Sequence, residues 1–260
     1  MKFLSFILVL TFAWSNAQST VTLIPKDSTA LDIDQLIAID NFETMYYTVG
    51  NILYKNPKTQ EAINFSNVQL GIPTTVNAYN PLKINMFFQD FNYVIILDNR
   101  LAEIFEIDFN TLQPYRFVTH VSTGYDNTLW IFNQDIQQLE LYDYLNNTIR
   151  VTTVPVQTNV LDLKSDYNYC WMLTEKYLYQ YTYFGSLISK IENKGYTEMA
   201  LSKDSIILKS DSGLFHKSKE SGEIQALNTP KLLINQFLLT NETLYIYDSN
   251  KLHSYQLKID

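Results

Sequence analysis

With Cys170 as its only cysteine, the chain can form no disulfide within itself, so stability has to come from packing and backbone pairing. That thiol stands in the apolar stretch NYCWML, where a small core residue fits better than a nucleophile. Histidine is almost as scarce: His120, His216 and His253 complete the set. Acid-base and nucleophilic chemistry draw on histidine, cysteine or paired carboxylates, and the chain carries no GxSxG, HExxH, CxxC or phosphate-cradling glycine loop. These absences argue against the familiar hydrolases and metalloproteases, and we expect no enzyme activity, no metal and no cofactor. Only 7 glycines and 7 prolines are present, so most turns must rely on Asn and Asp, which tolerate the left-handed conformation. No basic run interrupts a net charge of -8, a balance poorly suited to phosphate backbones or anionic lipid heads.

What is abundant is aromatic and β-prone. The 19 tyrosines and 15 phenylalanines fall largely in short apolar runs, as sheets packed face to face by aromatics require. The stretch Leu82 to Ile107, LKINMFFQDFNYVIILDNRLAEIFEI, sets the pattern. Leu82, Ile84, Met86 and Phe88 alternate with the residues between them, the period of two of a pleated strand. A polar turn leads to the apolar run Tyr93 to Leu97, and Asp98, Asn99 and Arg100 turn the chain into a third strand.

Equivalent turns occur at Asp40-Asn41, Asp126-Asn127, Asp166 to Asn168, Lys203-Asp204 and Asn241-Glu242. From Asp90 they lie 36, 40, 37 and 38 residues apart, the period of a four-stranded propeller blade, and a gap of 50 between Asp40 and Asp90 implies an insertion around Asn64 to Asn80. The third runs, such as Leu139 to Tyr142, mostly alternate and should show one face to the next blade and one to water. Tyr115 to Val118, Ile149 to Thr153 and Ile188 to Ile191 read as outer strands. The last copy runs out after three strands, while Thr20 to Ile24 precedes the first, so this early segment should supply the missing outer strand. The fold expected is all-β: a six-bladed β-propeller of antiparallel meander blades, its ring closed by an N-terminal strand.

The N-terminus differs in kind. Met1-Lys2, the apolar run Phe3 to Trp14 and then Ser15-Asn16-Ala17 have the form of a secretory signal cleaved after Ala17. The expected organisation is a signal peptide at 1-17 and a single propeller domain at 18-260, released with net charge -9 because Lys2 is lost. No cysteine flanks the cleavage point, so a lipoprotein anchor is not expected, and the protein should be exported to the periplasm.

Candidate site residues are few. His216 and His253 hold equivalent places in two repeats and read as repeat features. His120, in VTHVS, could face a central channel with Lys83 and Asn85, the usual place for a propeller to hold a small ligand. The acidic pairs Asp32/Asp34 and Glu106/Asp108 lack the further ligands and the glycine of a calcium loop. Trp130 and Trp171 occupy equivalent repeat positions and should be core. The segment Asn77 to Lys83, continuing through Met86, Phe87 and Phe88 to Phe91, is richer in aromatics than a solvated loop requires. Within it Tyr79, Asn80, Phe88 and Phe91 are candidates for anchoring a protein partner, with Phe91 at a turn tip whose equivalents are Asn127 and Tyr167.

The stretch NPLKINMFFQDFNYVIILDNRLAEI, with DNFETMYYT and the LWIF and LYDY runs, resembles a family of exported β-propellers of the Bacteroidota, that of the plug subunit of the type 9 secretion system translocon. The resemblance implies a non-catalytic periplasmic protein that closes the periplasmic end of a large outer-membrane barrel when the channel is not engaged with cargo. Set against it is a propeller that binds a small molecule or sugar in its central channel, with or without catalysis. That reading needs convergent polar groups on the inner strands.

Overall fold

The computed structural model describes residues 21–40, 42–219 and 223–259, so the segment expected to be a signal peptide, and Thr20, lie outside the described residues. The chain opens with a long strand, β1 (Val21–Ala30), and then builds five complete blades. Blade 1 is β2 (Gln35–Ile39), β3 (Met45–Val49), β4 (Ile52–Asn56) and β5 (Ile63–Ser66). Blade 2 is β6 (Thr75–Asn77), β7 (Ile84–Phe88), β8 (Tyr93–Leu97) and β9 (Glu103–Asp108). Blade 3 is β10 (Val118–Thr123), β11 (Thr128–Asn133), β12 (Gln138–Asp143) and β13 (Thr148–Thr152), and blade 4 is β14 (Val160–Ser165), β15 (Tyr169–Thr174), β16 (Tyr177–Thr182) and β17 (Leu187–Glu192). Blade 5 is β18 (Tyr196–Leu201), β19 (Ser205–Ser210), β20 (Gly213–Ser218) and β21 (Ile224–Ala226). The last blade supplies β22 (Gln236–Thr240), β23 (Thr243–Tyr247) and β24 (Lys251–Ile259), and β1 pairs antiparallel with β24 as its fourth strand. Every sheet is an antiparallel meander, so the chain is a six-bladed β-propeller whose ring is closed by its N-terminal strand.

The core is divided among the seams between blades. Phe87, Val94 and Ile107 of blade 2 pack with Val121, Leu129 and Ile131 of blade 3, and each further seam has its own cluster. The closing seam is made by Ile33, Leu36 and Ile39 against Tyr247 and Leu252. Trp130 and Trp171 stand on the second strands of blades 3 and 4, each in a seam cluster, and Cys170 is wholly buried beside them. Burial pushes that thiol well above its ordinary pKa, so it stays protonated.

Turns are held by aspartate in place of glycine. The Asp40 carboxylate accepts the backbone N–H groups of Phe42 and Thr44, both at 2.8 Å, and Asp98, Asp166 and Asp248 each accept two N–H groups in the same manner. β1 could present a bare edge along its whole length, but Pro25, Lys26 and a bulge between Pro25 and Asp27 spoil it as a template for further pairing.

Two expectations need correction. The second blade is out of frame by one strand: the turn at Asp90 joins its second and third strands, whereas Asp126 and Asp166 stand between first and second. What looked like an insertion at Asn64 to Asn80 holds the outer strand of blade 1 and the short inner strand of blade 2. Tyr115 to Phe117 is the link between blades 2 and 3, the outer strand of blade 2 being Glu103–Asp108. The third strands of blades 2, 3 and 4, moreover, are buried on both faces, whereas β4, β20 and β24 keep part of the alternation. The alternation surfaces in the fourth strands instead, such as β13 and β17. Hence Glu140, in an alternating run, meets no water: at 5% exposure it lies beside the equally buried Arg116, Nε to Oε2 3.4 Å.

Candidate functional site

Antiparallel meanders give a propeller two unlike faces. One carries the turns from first to second and from third to fourth strands, and is called here the turn face. The other carries the second-to-third turns and the links between blades.

On the turn face, the loops of blades 2, 3 and 4 bring aromatic rings together. Tyr79 lies edge-on to Tyr167 with ring centroids 5.1 Å apart, and Tyr125 meets both Tyr167 (5.9 Å) and Tyr183 (6.1 Å) in the same geometry. Phe184 continues the row at 5.7 Å from Tyr183. Tyr79 and Tyr125 are more than half or about half exposed and Phe184 is 79% exposed; Phe42 and Leu82 extend the apolar surface over blades 1 and 2. Around these rings, polar staples fix the loops. Lys83 Nζ donates to the Asp126 carbonyl (2.9 Å) and to Asn127 Oδ1 (2.7 Å), joining blades 2 and 3. Lys219 Nζ donates to Asp166 Oδ2 at 3.0 Å and lies 4.1 Å from the centre of the Trp171 ring, joining blades 5 and 4. The surface is therefore apolar at its high points and pinned beneath, an arrangement that suits association with another protein. Burial raises the pKa of Tyr79 and Tyr167, so the phenols remain neutral.

Of the residues singled out for partner binding, Tyr79 and Asn80 stand on this face. Phe91 is half exposed at the tip of the 89–91 turn on the opposite face, where its neighbours are Asn110 and the Arg116 link, so Asn127 and Tyr167 are not its equivalents. Phe88 is 1% exposed and packed in the seam between blades 1 and 2, where no partner can reach it. Lys83 and Asn85 are on the second-strand side of blade 2. With Asn80 they line a cleft against blade 3 of about 10 Å³, room for about one water. Asn85 is buried there, its side-chain N–H donating to Thr123 Oγ1 at 3.0 Å. The structure thus draws Asn80, Lys83 and Asn85 to one seam and leaves His120 apart from them.

His120 is on an inner strand, β10. Its Nδ1 is 3.1 Å from Thr119 Oγ1, and burial lowers its pKa, with nearby Asp162 opposing and Lys164 adding to the shift. Asp162 is already engaged: it accepts the N–H of Leu163 (2.9 Å) and of Met199 (2.8 Å) and pairs with Lys164 at 3.2 Å. His216 Nε2 is tied to Ser205 Oγ at 2.8 Å and His253 Nε2 to Asp248 Oδ2 at 2.9 Å, on the third strands of blades 5 and 6. Ser205 and His216 thus form a hydroxyl–imidazole pair at the spacing of a nucleophile and its base, but at 3% and 4% exposure the pair is closed off from solvent.

Phe42, Tyr125, Tyr183 and Phe184 went unremarked in the sequence. The signal that points to three of the rings is an aromatic inside or beside an Asp/Asn turn: Phe42 after Asp40-Asn41, Tyr125 before Asp126-Asn127, and Tyr167 between Asp166 and Asn168.

No protein-family model matches the chain, and no curated protein matches it. Solved structures do. A catalytically inactive histidine-to-alanine variant of virginiamycin B lyase from Staphylococcus aureus, with quinupristin, aligns at TM-score 0.62 and 9% identity over 93% of this chain and 100% of that one. BamB from Moraxella catarrhalis aligns at 0.55 and 11% over 91% and 98%. PorZ, a bacterial surface component of the type-IX secretion system of Porphyromonas gingivalis, aligns at 0.50 and 14% over 93% of this chain but only 38% of its own. At such identities what is shared is the β-propeller architecture.

Proposed function

We propose that this chain is a non-catalytic periplasmic interaction protein that docks on a protein partner through the turn face, acting as a plug at the periplasmic end of a type 9 secretion translocon. The observation that carries the docking reading is the aromatic row from Tyr79 through Tyr125 to Phe184, exposed on loops that Lys83 and Lys219 hold in place. Large aromatics presented on a rigid support lose little freedom on binding, which is why they dominate the energetics of protein interfaces. The net charge of -8 disfavours nucleic acid and anionic lipid as partners. The sequence resemblance and the likeness to PorZ, itself a type-IX component, support the choice of a secretion machine. The competing reading, a small molecule in the central channel, has His120, Asp162 and Lys164 in its favour, and a lyase among the similar folds.

The test is isolation of the tagged native protein from membranes in mild detergent. A very large outer-membrane barrel should travel with it and be lost from a Tyr125→Ala/Phe184→Ala variant. A lone protein carrying a tightly held small molecule would overturn the reading.

A further inference from the structure

The face opposite the aromatic row has an apolar surface of its own. It begins at Ile72, 70% exposed in the link from blade 1 to blade 2, and passes Phe91 at its turn tip to Tyr115 and Phe117 in the next link. From there it runs by way of Ile136, in the second-to-third turn of blade 3, to Val154, 79% exposed in the link from blade 3 to blade 4. These side chains are far apart in the chain, yet hydrogen bonds join each turn or link to the next. Thr74 Oγ1 accepts the Gln89 N–H at 3.0 Å, and Asn92 Nδ2 donates to the Arg116 carbonyl at 2.7 Å. The Phe117 carbonyl accepts the Gln134 N–H and the Gln137 carbonyl the Val156 N–H, both at 2.8 Å. A contiguous run of exposed apolar groups on a pinned backbone is the mark of an interaction site.

The free charge on this surface has one sign. Along its turns and links, residues 67–74, 89–92, 109–117, 134–137 and 153–159, the one basic residue is Arg116, which is buried against Glu140. Asp90 and Asp135 are exposed next to Phe91 and Ile136, and neither carboxylate pairs with a cation among the described residues. Asp32 and Asp34, in the link that enters blade 1, carry the same sign onward, with Asp34 accepting the Gly50 N–H. Asp108 spends one oxygen on the backbone and side-chain N–H groups of Asn110. On the far side of Val154, Glu175 and Lys176 share the turn of blade 4 and offset each other.

We propose that this surface receives a segment of a partner protein in which lysine or arginine adjoins large apolar side chains. The apolar groups lie along Phe91 and Ile136, and the cations face Asp90 and Asp135. Charge complementarity decides for a cationic segment over a second copy of this chain laid face to face, which would set these carboxylates against one another. Exposed aromatic rings favour the same cations. The contact lies on the other side of the ring from the aromatic row and stands whether or not the turn face docks.

The probe is a short acetylated and amidated peptide that alternates arginine with leucine, titrated into isotope-labelled protein at low salt and followed by chemical shifts. The expected result is a saturable set of shifts centred on Ile72, Phe91, Tyr115, Ile136 and Val154. Asp90→Asn/Asp135→Asn should weaken binding about tenfold, whereas Asp204→Asn/Asp211→Asn, which removes the same charge from blade 5, should change it less than about twofold. Phe91→Ser/Ile136→Ser should abolish the shifts at these loops and leave the rest of the spectrum in place, since both side chains are already half in water. Shifts scattered over the other blades, an equal effect of the two aspartate pairs, or a glutamate–leucine peptide bound as tightly as the arginine one overturns the proposal. So does sedimentation of the free protein as a dimer that Phe91→Ser/Ile136→Ser dissolves, which would assign the surface to a second copy. Failure of the barrel to travel with the protein bears on the turn-face reading alone, because the titration does not pass through it.

Discussion

Tyr79 of blade 2 meets Tyr167 of blade 4 edge-on, planes at 76° and centroids 5.1 Å apart, so a loop of one blade reaches past its neighbour to the next but one. Tyr125 of the blade between them touches Tyr167 as well. Tyr167 is therefore the hinge pin of three turns, and it is less exposed than the two rings it holds. An edge-on aromatic pair contributes about 0.5–1.5 kcal/mol beyond its buried area. Tyr167→Ala should lower stability by about 1–2 kcal/mol, and a double-mutant cycle with Tyr79→Ala, read by urea unfolding, should return a coupling of about 0.5–1 kcal/mol. Strict additivity of the two substitutions would mean that the rings are neighbours without being coupled.

Ring closure gives the second prediction. The Tyr247 hydroxyl, on the last blade, donates to the Ile33 carbonyl at 2.9 Å and accepts the Ile33 N–H at 3.3 Å, clasping the chain as it leaves β1 for the first blade. Tyr247→Phe keeps the ring in its seam and leaves both buried backbone groups without a partner, at a cost of about 1–3 kcal/mol. Hydrogen exchange should quicken first along the pairing of β1 with β24, which the clasp protects. Wild-type exchange there would show that the sheet pairing alone closes the ring.

How far the sequence reveals this can be judged from blade 2. The six-fold repeat and the closing strand are legible because apolar runs recur at blade spacing and because the last repeat lacks a strand. The frame of blade 2 is hidden by β6, three residues with one aliphatic among them, too short for periodicity to register. Its neighbour β7 is buried on both faces, so it reads as a first strand as readily as a second. The 50-residue gap was the available clue: a turn at Asn80 divides the distance from Asp40 to Asp126 into 40 and 46 residues, and places Tyr79 beside Tyr125 and Tyr167. The contact itself was not legible, since nothing in one dimension says that a loop of blade 2 leans as far as blade 4. Burial of Phe88 follows from the same slip, because a strand with a blade on either side has no wet face.

Arg116 and Glu140 provide a third test. Both are about 95% buried, the guanidinium lies 5.3 Å from the centre of the Tyr142 ring, and its Nη1 donates to the Pro114 carbonyl at 2.9 Å. Removing one member of a buried pair strands the other charge, so Glu140→Leu should destabilise by about 3–5 kcal/mol. Replacing both by apolar residues, Arg116→Met with Glu140→Leu, should recover most of that loss. Denaturant midpoints of the three variants decide it: if the double variant is as unstable as the single one, the Arg116 contacts to Pro114 and Tyr142 matter more than its charge partner.

The last prediction concerns acid. His216 is 4% exposed, its Nε2 against Ser205, and its pKa is lowered by burial first and by Lys217 second; burial lowers His120 in the same way. The folded protein thus binds fewer protons than the unfolded chain once the pH falls through the unfolded histidine pKa of about 6.5, and stability must decline from there downward. One group opposes this. Glu103 shares a hydrogen bond with Glu106 and is raised to about 7, so between there and its ordinary value of 4.5 the folded state holds an extra proton and gains stability as pH falls. That carboxyl lies near solvent, where screening weakens its effect, so the histidines should dominate. Below the ordinary carboxylate range Asp248, lowered to about 2 by hydrogen bonds from His253 and from backbone N–H groups, adds a further loss as it protonates. Unfolding measured from pH 7.5 to 5 should show falling stability, and a His216→Asn variant, neutral throughout, should show a shallower slope while Glu103→Gln shows a steeper one. A His216→Asn slope equal to that of the wild type would place the acid sensitivity elsewhere, and ring titration by nuclear magnetic resonance would then find His216 protonating like an exposed histidine.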